Sequence, residues 1–224
     1  MPKAAARPVS APVRRSPAGR LVRRHPLVRR ATIRRMPADQ LPYTGDPEAD
    51  RLIATNPLAL LIGFALDQQI TLQKAFAGPR DLQQRIGHLD AARIAAMDPA
   101  RLDEVFRERP ALHRFPGAMA GKVQQLCATI AQQYDNDAGR VWRDAASGKE
   151  IRDRILGLPG FGEMKAATLL AVLSKQLGVN PPGMADVLPT HPTLGDAGTP
   201  DAVAAYQAVK RAHKAELRAQ GQRA

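Results

Sequence analysis

Leu158 to Gly178 reads LPGFGEMKAATLLAVLSKQLG. A Pro-Gly-x-Gly turn runs into a segment in which Ala166, Leu169, Leu170, Leu173 and Leu177 recur at three- and four-residue spacing. That spacing predicts a helix with one buried stripe, and Gly178 stands where a C-cap would end it. Upstream, Ile151 and Ile155 share a helical face and Leu158 begins the turn, so residues of about 149–178 read as two helices across a short glycine-rich connection. Gly160 and Gly162 have no β-carbon, which lets the backbone take positive φ and approach another surface closely. The amides of the turn and of the next helix's first residues lack intrahelical partners and lie at the positive end of the helix dipole. Such a site accepts a phosphate. On spacing alone, a phosphate grip and a plain turn stand as equal readings.

The rest of the chain carries helical signals as well. Asn56-Pro57 is a capping residue followed by proline at the first helical position, which predicts a helix running through LALLIGFALDQQI; Asp98-Pro99 and Thr199-Pro200 repeat the device. In GKVQQLCATIAQQY, Val123, Leu126, Cys127, Ile130 and Tyr134 fall on one face, so Cys127 reads as a core residue. No alternating apolar-polar run of strand length occurs, and aromatic residues make up only 4% of the chain. An all-α domain of eight or more helices is expected. A last helix over about 199–220 brings Lys210, Arg211, Lys214 and Arg218 together, as a solvated face or as a patch flanking DNA.

Charge divides the chain. The first 35 residues hold 11 of the 33 Lys and Arg and no Asp or Glu, whereas the chain from Met36 onward holds 22 basic and 21 acidic residues. The basic arm, rich in Pro and Ala with few large apolar residues, is expected to be disordered. It reads as a nucleic-acid arm, an Arg-rich targeting peptide, or a start placed upstream of Met36, where the composition changes. Residues 36–224 form the expected domain, and any basic face on it must be local. The apolar run Leu58–Leu66 falls short of the roughly 20 residues of a membrane span. With Cys127 as the single cysteine, no internal disulfide can form and a protein-held zinc or iron–sulfur site is not expected, which points to a reducing cytoplasm. His88, His113, His191 and His213 show no metal-ligand spacing and read as surface or packing residues.

LPGFGEMKAATLLAVL resembles the helix-hairpin-helix of the endonuclease III superfamily of base-excision DNA glycosylases, the helix-hairpin-helix-GPD family. LLIGFALDQQITLQKAF is similar to that family's helix ending in a Gln-containing loop, and FPGAMAGKVQQLCATIAQQY resembles the segment between the two. The three occur in family order over about 56–186, as in a small bacterial branch of that superfamily. The resemblance implies a two-lobed helical fold with a DNA cleft and the hairpin at its mouth, acting on double-stranded DNA as a monomer. By position it implies that Gly160, Phe161, Gly162 and Lys165 meet the DNA at the hairpin, that Gln69 wedges near the vacated base position, and that Lys122 reaches a phosphate. It admits a monovalent cation at the hairpin. The family's four-cysteine iron–sulfur loop is absent from this sequence, so no cluster is implied.

Base excision proceeds through an oxocarbenium-like transition state that a carboxylate stabilises. The resemblance places this carboxylate shortly after the second hairpin helix, which makes Asp186 the catalytic candidate and Asp196 a poorer one. The loop before Asp186 is about four residues longer than the family spacing, and the Thr-x-x-x-Arg-like continuation is missing. Strand-cleaving relatives carry a nucleophilic lysine where Met164 stands; Lys165 follows it, rotated by about 100° around the helix. The reading is therefore a monofunctional glycosylase, with a non-catalytic DNA-binding protein of the same fold as the alternative.

Overall fold

A computed structural model describes residues 37–219, and the reading of residues 1–35 lies outside them. Among the described residues the chain is all-α, with no strand. Helix α1 (Pro47–Thr55) is capped by Asp46, whose carboxylate accepts from the amides of Glu48 and Ala49 at 2.9 and 3.0 Å. Asn56 does the same for α2 (Pro57–Leu66), accepting from Leu58 and Ala59, and every residue of α2 from Leu58 to Leu66 is buried. The expected continuation of α2 through Ile70 does not form. Helix geometry stops at Leu66, and Asp67, Gln68 and Gln69 turn the chain, with Gln69 at φ 55°. The Asp67 amide closes α2 by donating to the Gly63 and Phe64 carbonyls, and the positive φ of Gln69 is incompatible with carrying the helix on.

Helix α3 (Leu72–Ile86) packs on α2 and α1; α4 (Ala91–Ala95) and α5 (Pro99–Arg107) pack on α6 (Pro116–Gln133). Asp98 caps α5 as its sequence indicates, accepting from the Arg101 amide. After α7 (Arg140–Arg143) come α8 (Gly148–Leu156) and α9 (Glu163–Lys175), packed on each other across the turn 157–162. Ile151 and Ile155 of α8 and the predicted stripe positions Ala166, Leu169, Leu170 and Leu173 of α9 are all buried. The C-cap of α9 is Gln176 rather than Gly178; Gly178, at φ 71°, reverses the chain just beyond, and the Val179 amide donates to the Leu173 carbonyl.

The one-turn helix α10 (Met184–Val187) lies against the start of α8, where a β-carbon on Gly148 would come within 2.4 Å of the Met184 Cα. The Gly148 amide donates to the Pro182 carbonyl at 2.9 Å and holds this contact. A 3-10 turn (Leu194–Asp196) leads to α11 (Pro200–Ala219), whose first turn is capped by Thr199. Buried apolar side chains from α1 through α11 form one continuous core, and Cys127 lies in it as the helical periodicity indicates. Among the described residues no single helix is long and apolar enough to cross a membrane.

Candidate nucleic-acid interface

The turn between α8 and α9 is built from two short hydrogen bonds, Leu158 to the Ile155 carbonyl and Phe161 to the Leu158 carbonyl. Gly160 takes φ 83°, which an L side chain resists, so this glycine is required by the turn itself. Gly162 is different. Its backbone is extended, at φ −104° and ψ 180°, and any residue could adopt it. Nothing lies within 4 Å of where a β-carbon would stand on either glycine. Helix α9 starts at Gly162 with no side-chain cap, and the amides of Gly162, Glu163, Met164 and Lys165 have no protein partner among the described residues. Four backbone donors thus point out of the protein at the start of a 13-residue helix. The Phe161 ring is buried and its amide is taken up by the Leu158 carbonyl, so of its two backbone groups only the carbonyl is left open at the turn.

Lys165 links this turn to the C-terminal end of α2, just before the 67–71 loop. Its Nζ donates to the Ala65 carbonyl at 3.3 Å and lies 5.9 Å from the centre of the Phe161 ring. Met164 points the other way and is 83% exposed. The rotation of one residue along α9 therefore turns Lys165, not Met164, toward the loop. Burial is the main cause that lowers its pKa to about 8; Asp67 raises it in part and Lys122 adds to the lowering.

The loop is held from below. The Gln68 side chain donates to the Ala65 carbonyl at 2.8 Å, and its amide oxygen accepts from Lys122 Nζ on α6 at 3.2 Å. His113, which is buried, pairs its Nε2 with the Gln68 carbonyl at 2.8 Å, while its Nδ1 accepts from the Phe115 amide. An acceptor role for Nδ1 fixes Nε2 as the donor, so His113 is a neutral packing residue; burial pushes its pKa down. Gln69 stands at the tip, exposed, with no hydrogen bond from its side chain among the described residues.

Five of the residues named from the sequence thus come together: Gly160, Gly162 and Lys165 at the turn, and Gln69 and Lys122 at or beneath the loop. Asp186 does not join them. It is exposed on α10, which docks on the first residue of α8, and it makes no hydrogen bond or ion pair with any of these five residues. Asp196 is committed elsewhere, capping the 3-10 turn and pairing with Lys175 at 2.6 Å; burial pushes its carboxyl up, but the bonds from Lys175 and Thr193 outweigh it and hold the group below the usual range.

Asp67 went unnoticed in the sequence. Its carboxyl, half-buried beside Lys165 and Lys210, has its pKa raised by burial against the pull of both lysines, and it makes no protein hydrogen bond among the described residues. The visible signal was an acid directly after nine consecutive buried positions. Lys210 and Arg211 of α11 are exposed on the same side as the loop, lining a groove with it; the side chains of Lys214 and Arg218 lie outside the described residues. Among the described residues no group of three or more His, Cys, Asp or Glu is placed to hold a metal. No family model, curated protein or solved structure matches the chain.

Proposed function

We propose that this chain is a base-excision DNA glycosylase that hydrolyses the N-glycosidic bond of a damaged or mispaired base in duplex DNA, without cleaving the strand. One observation carries the proposal: the uncapped turn at Gly160 and Gly162, open to solvent, is tied through Lys165 to the end of α2, from which the chain runs directly into the loop bearing Gln69. A backbone phosphate on the turn's free amides and a side chain reaching into the base stack are the two contacts that base extrusion needs, and extrusion costs a few kcal/mol. Lys122, Lys165 and Lys210 supply local positive charge on a domain whose net charge is near zero.

In the proposed reaction the C1′–N bond breaks and its electron pair leaves with the base. A carboxylate opposes the positive charge on the sugar, and water adds at C1′ and loses a proton. By family position this carboxylate is Asp186. In this reading Lys165 holds the end of α2 through the Ala65 carbonyl rather than attacking the sugar, which leaves the strand intact. A second reading, a DNA-binding protein that keeps the hairpin without chemistry, is favoured by the exposed place of Asp186 on α10, where it makes no hydrogen bond or ion pair with the residues of the turn or the loop.

A panel of duplexes with single lesions or mismatches, scored for alkali-labile abasic sites, decides between them. Base release from at least one duplex, lost in Asp186→Asn, supports the glycosylase. Tight duplex binding with no release from any substrate moves the assignment to the non-catalytic protein.

A further inference from the structure

Between the start of α3 and α11 lies a groove of about 270 Å³, lined by Asp67, Thr71, Gln73, Tyr206, Lys210 and Arg211 among others. Two of its lining residues form a reciprocal pair of amide hydrogen bonds, Gln73 to Gln207 at 3.2 Å and Gln207 to Gln73 at 3.3 Å, which pin α11 to α3. Asp67 lies in it with a carboxylate that no protein donor satisfies, although Lys165 and Lys210 are near enough to act on it. The carboxylate is open to the groove, so its oxygens are available to a ligand's donors rather than engaged by the protein. The Tyr206 ring forms an aromatic wall, with Lys210 Nζ over it at 5.5 Å from its centre.

We propose that this groove is the pocket for an extrahelical base, and that Asp67 selects a base whose Watson–Crick edge presents two adjacent N–H donors, as guanine and its ring-modified derivatives do. The inference rests on the glycosylase reading and names its substrate class. A carboxylate has two acceptor oxygens and no donor, so it pairs in parallel with the N1–H and the exocyclic amine of a guanine edge. Uracil, thymine and hypoxanthine offer one N–H flanked by carbonyl oxygen or carbon and leave one oxygen of Asp67 unpaired. The volume lies just under the roughly 300–1,000 Å³ of sites for drug-sized ligands, which suits one planar base against Tyr206. Arg211 and Lys210 at the rim then meet the phosphates flanking the extruded nucleotide.

The test uses the full chain and four duplexes that differ at one central, mispaired position: uncleavable 2′-fluoroarabino guanosine, 2′-fluoroarabino inosine, 2′-fluoroarabino uridine, and a tetrahydrofuran abasic analogue. Guanine and hypoxanthine differ only by the exocyclic amine. The parent should bind the guanine duplex about tenfold or more tighter than the hypoxanthine duplex, the discrimination of a bidentate pair. Asp67→Asn, checked for an unchanged melting profile, should bring the two within about twofold. Equal binding of guanine and hypoxanthine by the parent overturns the proposal without any variant, as does discrimination that survives Asp67→Asn. Binding of the abasic duplex separates the two layers: if the parent holds it but does not discriminate, the pocket assignment fails alone; if it holds none of the four, the DNA reading fails with it.

Discussion

Gly162→Asp should leave the fold at least as stable as the parent while weakening DNA binding. Gly162 is the N-cap of α9 in extended backbone, with no side-chain cap and open space around it. The same chain shows what aspartate does in that setting: Asp46, at φ −115° and ψ 116°, accepts from two amides of α1 at 2.9 and 3.0 Å. An aspartate at 162 should likewise take the amides of Met164 or Lys165, for a gain of a few tenths of a kcal/mol over glycine. In a chain of this size that is a rise of about 1 °C in Tm. The same carboxylate occupies the donors a phosphate would use and repels it. Losing one hydrogen bond to a charged acceptor costs about 1.5–3 kcal/mol, or roughly 10- to 150-fold in Kd. The assays are thermal unfolding and fluorescence anisotropy of a labelled abasic-analogue duplex at fixed salt. Gly160→Ala is the contrast, since φ 83° makes it lose about 1–2 kcal/mol of stability through strain. If Gly162→Asp melts like the parent and binds within twofold of it, the turn does not hold a phosphate and the reasoning is refuted.

Lys165 predicts a pH dependence. Its folded pKa, near 8, lies below the ordinary 10.5, so the charged form opposes folding at low pH and stability relative to Lys165→Met should rise between about pH 8 and 10.5. Over the same upward passage through pH 8 the parent loses a cation and duplex affinity should fall, with a flat response in Lys165→Gln at constant salt. Asp186→Asn should keep duplex binding and reduce base release by orders of magnitude, because it removes the charge opposing the oxocarbenium ion and preserves shape; unchanged release removes Asp186 from the mechanism. After base release the strand should stay intact until alkali is added, and borohydride should trap no protein–DNA adduct; a trapped adduct on the parent, absent in Lys165→Gln, makes Lys165 a nucleophile. Cys127 is buried, with its thiol pushed up to about 12, so alkylating reagents at pH 8 should label it only after unfolding.

Local chemistry was readable from the sequence because it is written within one helical turn. Asn56-Pro57, Asp98-Pro99 and Thr199-Pro200 start helices as their residue types dictate, and Ile151, Ile155, Leu169 and Leu173 are buried because period 3.6 places them on one face. The glycine turn before α9 follows from the same short-range rules. The site required more than that. Lys165 donates to a carbonyl 100 residues away, Lys122 reaches Gln68 across 54, and Gln73 meets Gln207 across 134. No periodicity encodes such meetings, which depend on how finished helices pack. Tertiary structure likewise turned the chain after Leu66, where His113 and Lys122 from other parts of the chain hold the carbonyl and the side chain of Gln68. It also made Asp67 an unpartnered carboxylate between two lysines and set Asp186 on α10 at the far end of α8, because a carboxylate's role depends on the dielectric and the donors that packing brings around it.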